Sequence, residues 1–282
     1  MEYLLARGLA ATVNTLPIGV STWLARRAGD LIFLLFQERR KIALENLTLA
    51  YGDSLSLEEK ERITRESIRN LATSLMEFFR IPSLLTRAQS AFQFEGTEIL
   101  DQAFAKGKGI IFVISHLGSW ELLAFLPYLR GYPCSVIVRE IRNPYINRWI
   151  QALRVKTRLN PIPKEQSIRE VLSRLKENQL VAILIDQWGG NEGLAVDFFD
   201  KPTSTTSIPE RLAEKTGAAL VPGYCLRLAP GQYKIIIKAE VPVENSRDSE
   251  GVTTSKLNAL LEQEVLAHPE QWAWVHRRWK DS

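Results

Sequence analysis

Cysteine is almost absent: Cys134 and Cys225 are the only two in 282 residues, with no C-x-x-C pair and no Cys/His ligand spacing around either. That excludes a disulfide scaffold and a thiolate metal site; both read as buried apolar residues in a reducing, cytoplasmic setting. There is no repeat and no low-complexity segment. The chain also lacks G-x-S-x-G, H-E-x-x-H, a Walker A loop and G-x-G-x-x-G, which removes the commonest hydrolase, metalloprotease and nucleotide-binding readings. A large excess of one charge is missing as well: 36 basic against 32 acidic residues leave +4, a mild pointer to an anionic partner. Hydrophobic residues make up 45%, so disorder is excluded and a sizeable core is expected.

A long apolar run is missing too. "GLAATVNTLPIGVSTWLA" (8–25) has the length of a membrane span but is diluted by Asn14 and hydroxyl residues and broken at Pro17, and Arg26 and Arg27 separate it from "LIFLLF" (31–36). No small-residue cleavage site follows it, which disfavours a removable signal peptide. Two apolar helices flanked by Arg7, Arg26, Arg27 and "RRK" (39–41) suit a membrane interface, with two ordinary core helices as the equal alternative.

What is present reads as α/β. Ser56 and Glu59 form a capping box ahead of a helix over 56–80, whose buried stripe is expected at Ile68, Leu71, Ala72, Leu75, Met76 and Phe79. From residue 109, β-branched runs ("GIIFVIS", "CSVIVR", "LVAILID") alternate with helical segments ("SWELLAFLPYL", "NPYINRWIQALRVK", "SIREVLSRLKEN"). "AALVPGYCLRL" and "QYKIIIKAEV" flank Pro230-Gly231 as an antiparallel hairpin. A helix over 252–267 and the tail "QWAWVHRRWK" close the chain. The expected division is a membrane-associating helical region over 1–55 and a second unit over 56–282.

His116 stands where "GIIFVIS" ends, the place where open α/β sheets bind ligands. Ser119 as an N-cap would put Glu121 in the first helical turn, facing His116. A carboxylate on one ring nitrogen fixes the tautomer and raises the basicity of the other, so His116 can act as a general base. A satisfied turn histidine beside a helix-start acid is the competing reading. A further cluster of cations runs from Arg139 through Arg142, Arg148, Arg154, Lys156 and Arg158 to Lys164, interrupted only by Glu140.

Together "SHLGSWE", "VREIRNP", "DQ", "VDFF" and "HRRW" resemble the lipid A late acyltransferases (lauroyl/myristoyl transferases), part of the H-x4-D/E lysophospholipid acyltransferase superfamily. The resemblance runs from "RRKIALENLTLAYGD" (39–53), similar to the family's R-x-x-x-x-x-N-L segment, to "HPEQWAWVHRRWK" (268–280), similar to its P-E-Q-x-x-W-x-H-R-R ending. It implies a glycerol-phosphate-acyltransferase-like sandwich, a mixed sheet with flanking helices, preceded by N-terminal amphipathic helices. It implies His116 as base with Glu121 as its orienting partner, and Arg139, Asn143, Asp186, Gln187 and Arg277 as substrate-binding residues. No metal or organic cofactor is implied. The donor would be an acyl carrier protein thioester or acyl-CoA, and the acceptor a membrane glycolipid such as a lipid A precursor, met at the cytoplasmic face of the bacterial inner membrane. Acylation of another lipid, a phosphatidylinositol mannoside or lysophospholipid, is the alternative within enzymes. A non-enzymatic lipid-binding protein is the alternative outside them; no nucleic-acid-binding module is recognisable. Two positions depart from the family pattern: Asp200 stands where glycine is usual, and the N-terminal apolar segment is less uniform, which implies shallower membrane attachment.

Overall fold

The structure is a computed structural model that describes residues 1–164, 167–244 and 250–280. In chain order the elements are α1 (Glu2–Thr15), α2 (Ile18–Leu35), α3 (Gln37–Tyr51), α4 (Leu57–Phe79), α5 (Ile81–Leu85), α6 (Ala88–Ala91), β1 (Phe92–Glu95), α7 (Thr97–Ala105), β2 (Ile110–Ile114), α8 (Phe125–Arg130), β3 (Cys134–Val138) and α9 (Pro144–Lys156). They continue with β4 (Leu159–Pro163), α10 (Ser167–Lys176), β5 (Leu180–Leu184), β6 (Leu194–Phe198), β7 (Lys201–Thr205), α11 (Ile208–Thr216), β8 (Ala219–Ala229), β9 (Gln232–Ile237) and α12 (Val252–Ala267).

The main sheet has the order β1-β9-β8-β2-β5-β3-β4. Every neighbouring pair is parallel except β8 and β9, the hairpin expected about Pro230-Gly231. The fully buried β2 lies at its centre, because Ile110–Ile114 offers apolar side chains to both faces. Helices cover both sides, so the expected mixed α/β architecture is present.

α1 and α2 part at Pro17, whose ring sets the first turn of α2. α2 lies on α4 so closely that a Cβ on Gly29 would stand 2.7 Å from Arg69 Cα. Its charged edge is tied down by Arg26–Glu66 at 3.0 Å and Arg69–Asp30 at 2.6 Å. The side turned away from α4 leaves Trp23, Leu31, Leu34, Leu35 and, at the helix end, Phe36 more than half exposed, as are Leu4, Leu5 and Leu9 of α1. No helix among the described residues is long and apolar enough to cross a membrane.

The capping box on α4 is formed as expected, and of the expected stripe Ile68, Met76 and Phe79 are buried and Leu71 and Ala72 half-buried. Leu75 is exposed, while Ser67, Asn70, Ser74 and Glu77 are buried. These four recur at helical spacing and form a buried polar face beside the apolar one.

Three features lay outside the alternation read from sequence: the edge strands β1 and β4, and the two-stranded β6–β7 hairpin. β4 holds two prolines, β6 has its apolar residues broken by Asp197, and β7 is polar but for Pro202, so none carries a β-branched run like those of the central strands. The β6–β7 turn places Phe199 and Asp200 at φ +54 each, the left-handed geometry that tight hairpins need. Phe199 accepts it because its ring packs among Phe198, Trp274 and Trp279. Asp200 is exposed and gains nothing comparable, so Asp200→Gly is expected to stabilise the protein by about 1 kcal/mol. Thermal melting checks this; an unchanged or lower midpoint would contradict it.

Candidate active site

β2 ends at Ile114, and the chain then turns through Ser115–Ser119 into a 3-10 segment, Trp120–Ala124. Gly118 makes the turn possible. It sits at φ +64, and a Cβ there would lie 2.1 Å from Cys225 O. Its N–H donates to Gln271 O, and the N–H of Ser119 to Cys225 O, which ties the turn to β8 and to the C-terminal segment.

His116 Nδ1 lies 2.9 Å from Asp186 Oδ1, and the backbone N–H of His116 donates to Asp186 Oδ2 at 2.8 Å. Trp272 Nε1 donates to the same Oδ2 at 2.9 Å. Asp186 is buried at the end of β5, the strand beside β2, so the two strand ends deliver base and carboxylate side by side. Burial pushes the Asp186 carboxyl up, but the His116 charge and the hydrogen bonds from His116 and Trp272 more than reverse that, and it stays below the usual carboxylate range. Burial likewise pulls His116 down, but the charge and hydrogen bond of Asp186, helped by the charge of Glu121, leave it raised. With Nδ1–H given to the carboxylate, the lone pair of Nε2 is left on the open side, where its partner is the Gln187 amide at 3.4 Å. Trp120 stands edge-on to the ring, 5.1 Å between centroids.

The expected hydrogen bond between Glu121 and His116 is not made. Ser119 does stand at the N-cap position, but its hydroxyl caps nothing and donates to Glu77 Oε2 at 2.6 Å instead. The 3-10 segment then turns Glu121 toward Arg154, whose Nη2 and Nε donate to its two oxygens at 2.6 and 3.2 Å. The carboxylate on the His116 ring is therefore Asp186, expected only to position substrate. Glu121 remains at the mouth of the same pocket and reaches His116 through its charge.

That pocket encloses about 300 Å³. His116, Glu121, Arg139 and Arg154 form its mouth, and Phe112, Leu126, Cys134, Leu159, Ala182 and Leu184 line its interior. Because Ile114 pairs with Leu184 and Phe112 with Ala182, these residues mark steps down the strands from the C-terminal to the N-terminal edge of the sheet.

The remaining expected residues separate. Arg139 is exposed at the mouth and belongs to no ion pair among the described residues. The side chain of Asn143 is used in structure: Oδ1 accepts from the N–H groups of Tyr145 and Ile146 to cap α9, and Nδ2 donates to Glu2 at 2.9 Å. Arg277 is exposed, pairs with Glu38 at 2.7 Å and lines a different groove of about 1000 Å³ along α3. Its neighbour Arg278 is fully buried and donates to Gln187 O at 3.1 Å and Ser204 O at 2.7 Å. Burial draws its pKa down to about 10, with the Asp186 charge acting the other way. Trp272 and Asn46 were not singled out, and Arg154 only as one of the cation cluster from Arg139 to Lys164. Asn46 donates to Trp274 O and His276 O, so the "NL" of the 39–53 segment is a clamp on the C-terminal tail.

No group of three or more His, Cys, Asp or Glu side chains among the described residues is arranged to hold a metal ion. The model of the family described as "Bacterial lipid A biosynthesis acyltransferase" matches residues 2–281. The chain is 28% identical over 275 residues to the lipid A biosynthesis palmitoleoyltransferase of Escherichia coli (strain K12), covering 94% of this chain and 86% of that protein. It is 26% identical over 283 residues to the lipid A biosynthesis lauroyltransferase of the same strain, covering 97% and 89%. To the phosphatidylinositol mannoside acyltransferase of Mycobacterium tuberculosis (strain ATCC 25618 / H37Rv) it is 26% identical over 211 residues, covering 72% and 66%.

Proposed function

Since the chain belongs to the bacterial lipid A biosynthesis acyltransferase family and is an acyltransferase, we propose that it moves a fatty acyl group from a carrier thioester to a hydroxyl of a membrane glycolipid, with His116 as general base. The observation that carries this reading is the lone pair of His116 Nε2, fixed by the bond from Nδ1 to Asp186 and facing the mouth of an apolar pocket.

The acceptor hydroxyl gives its proton to Nε2 as its oxygen bonds to the thioester carbonyl carbon. The tetrahedral intermediate then expels the thiolate, which takes that proton from the imidazolium, so ester and free thiol leave with the base regenerated. Asp186 holds the ring and stabilises its charged form. Glu121, fixed by Arg154, adds negative charge at the mouth and favours the same protonated ring. Gln187 is placed to hold the acceptor hydroxyl, and Arg139 to meet a phosphate of donor or acceptor. A thioester is already activated, so the scheme uses no metal or organic cofactor.

The acyl chain would enter the pocket along β2. From His116 to Phe112 is four residues of nearly extended chain, the end of β2 and the start of the turn, about 13 Å at most. An extended chain advances about 1.2 Å per bond, so the depth suits about 10 to 12 carbons. The exposed leucines and aromatics of α1 and α2 would lie in the headgroup region at the cytoplasmic face of the inner membrane. The exposed cations Arg142, Arg148, Lys156 and Arg158 suit an acidic carrier protein, with coenzyme A as the second candidate carrier.

Mass spectrometry of membrane lipids from cells with and without this protein tests the proposal. The expected result is one glycolipid that is lighter by a single medium-length acyl chain when the protein is absent. A shift in phosphatidylinositol mannosides or lysophospholipids instead would reassign the acceptor, and unchanged lipids would contradict the proposal.

A further inference from the structure

The polar face of α4 has no place in the chemistry above, yet each of its side chains reaches something that does. Glu77 is fully buried and forms a two-point ion pair with Arg227 of β8: Nε to Oε1 at 2.6 Å and Nη2 to Oε2 at 2.6 Å. Tyr233 donates to Oε1 at 3.1 Å and Ser119 to Oε2 at 2.6 Å. One turn earlier, Ser74 donates to Gly118 O at 2.9 Å. Arg227 Nη2 also reaches the hydroxyls of Ser74 and Ser119, each at 3.0 Å, and Arg227 Nη1 donates to Asn70 Oδ1. Asn70 Nδ2 donates to Gln271 O at 2.8 Å, and Ser67 to Trp272 O.

The two groups at the lower end of α4, Ser74 and Glu77, therefore grip the turn between His116 and Glu121. The two at the upper end, Asn70 and Ser67, grip the segment whose Trp272 holds Asp186. A buried ion pair is a poor way to gain stability, since well-packed apolar residues of similar volume are often as good or better. It does fix geometry: the Arg227 fork and the Glu77 carboxylate satisfy each other in one arrangement, and Ser119 fits between them.

We propose that Glu77, with Arg227, Ser74 and Ser119, is a positioning cluster that holds the 117–121 turn so that His116 and Glu121 keep their places at the pocket mouth. This rests on the reading of His116 as base. None of the four touches the pocket, so their loss should lower turnover and leave donor binding alone.

Glu77→Gln strands a buried guanidinium and is expected to unfold much of the protein, so the test uses Ser119→Ala and Ser74→Ala, which leave the ion pair intact. The assay follows thiol release from dodecanoyl-acyl carrier protein with vesicles containing a lipid A precursor, beside thermal melting. Each single variant is expected to lose about ten- to a hundredfold in kcat, with KM for the donor within about twofold of wild type and most of the folded state retained at the assay temperature. The double variant should lose less than the product of the single losses, because both hydroxyls serve one cluster. Val171→Ala, a core change in α10 away from the turn and from the pocket, is expected to lower the melting point without lowering kcat. Wild-type kcat in Ser119→Ala, or a loss that follows only the folded fraction, would overturn the positioning role while a dead His116→Ala enzyme left the base assignment standing. Full transfer by His116→Ala would overturn both.

Discussion

His116→Ala is expected to lose about 10²- to 10⁴-fold in the rate of acyl transfer, the usual contribution of a general base, while the protein still folds. The ring's partners are Asp186 and Gln187, and its removal strands neither. Asp186 keeps the backbone N–H of residue 116 and the Trp272 indole N–H as donors, so no bare carboxylate is left in the core. The stability cost should therefore stay within about 2 kcal/mol. Thiol release from dodecanoyl-acyl carrier protein gives the rate, and the melting curve gives the folded fraction. A rate near wild type in the folded variant would remove His116 from the chemistry.

Asp186→Asn should reduce transfer roughly a hundredfold or more and also move its pH dependence. With His116 as the proposed base, transfer needs its ring neutral, so the rate is expected to fall as pH drops through the folded-state pKa of that ring. Burial pulls that pKa down, and the Asp186 charge and hydrogen bond, with the Glu121 charge, raise it above the ordinary histidine value. Replacing the carboxylate by an amide removes the largest raising influence. The acid limb of the profile must then shift to lower pH, even as the plateau falls because the amide no longer selects the tautomer with Nε2 free. Glu121→Gln should shift the limb in the same direction by less, since Glu121 acts through its charge alone. The profiles of kcat/KM against pH check both. A limb that does not move in Asp186→Asn would mean that Asp186 neither charges nor orients the base.

The position of His116 was legible because strand-ending apolar runs are visible in sequence and the sheet puts their C-terminal ends at one edge. Its carboxylate partner was not, for a topological reason. Glu121 is five residues away and Asp186 is seventy, but β2 and β5 are neighbours in register, and the short 3-10 segment turns Glu121 toward Arg154. Separation along the chain said nothing about which acid would arrive. The tail misled in a similar way. Arg277 is the arginine expected at the substrate, whereas its neighbour Arg278 is the one enclosed, holding backbone carbonyls near Asp186, and Arg277 stays at the surface. On α4 the apolar residues at helical spacing suggested a hydrophobic face, and Leu75 was assigned to it. Ile68, Met76 and Phe79 of that face are buried, but Ser67, Asn70, Ser74 and Glu77 are buried beside them, because these four find partners in segments that come later in the chain. Elements built on a local pattern, such as the Ser56/Glu59 capping box and the hairpin at Pro230-Gly231, are as the sequence describes them. What could not be read was pairing between distant parts.

The claim that a base fixed by Asp186 transfers an acyl chain to a lipid hydroxyl is tested most directly by the mass of the lipid itself. Purified protein is mixed with dodecanoyl-acyl carrier protein and vesicles containing a lipid A precursor, and the lipids are weighed by mass spectrometry against an equal folded concentration of His116→Ala. The predicted result is one added dodecanoyl ester per acceptor with the wild-type protein and essentially none with the variant. Equal acylation by both proteins, or thiol release without any acylated lipid, would contradict it.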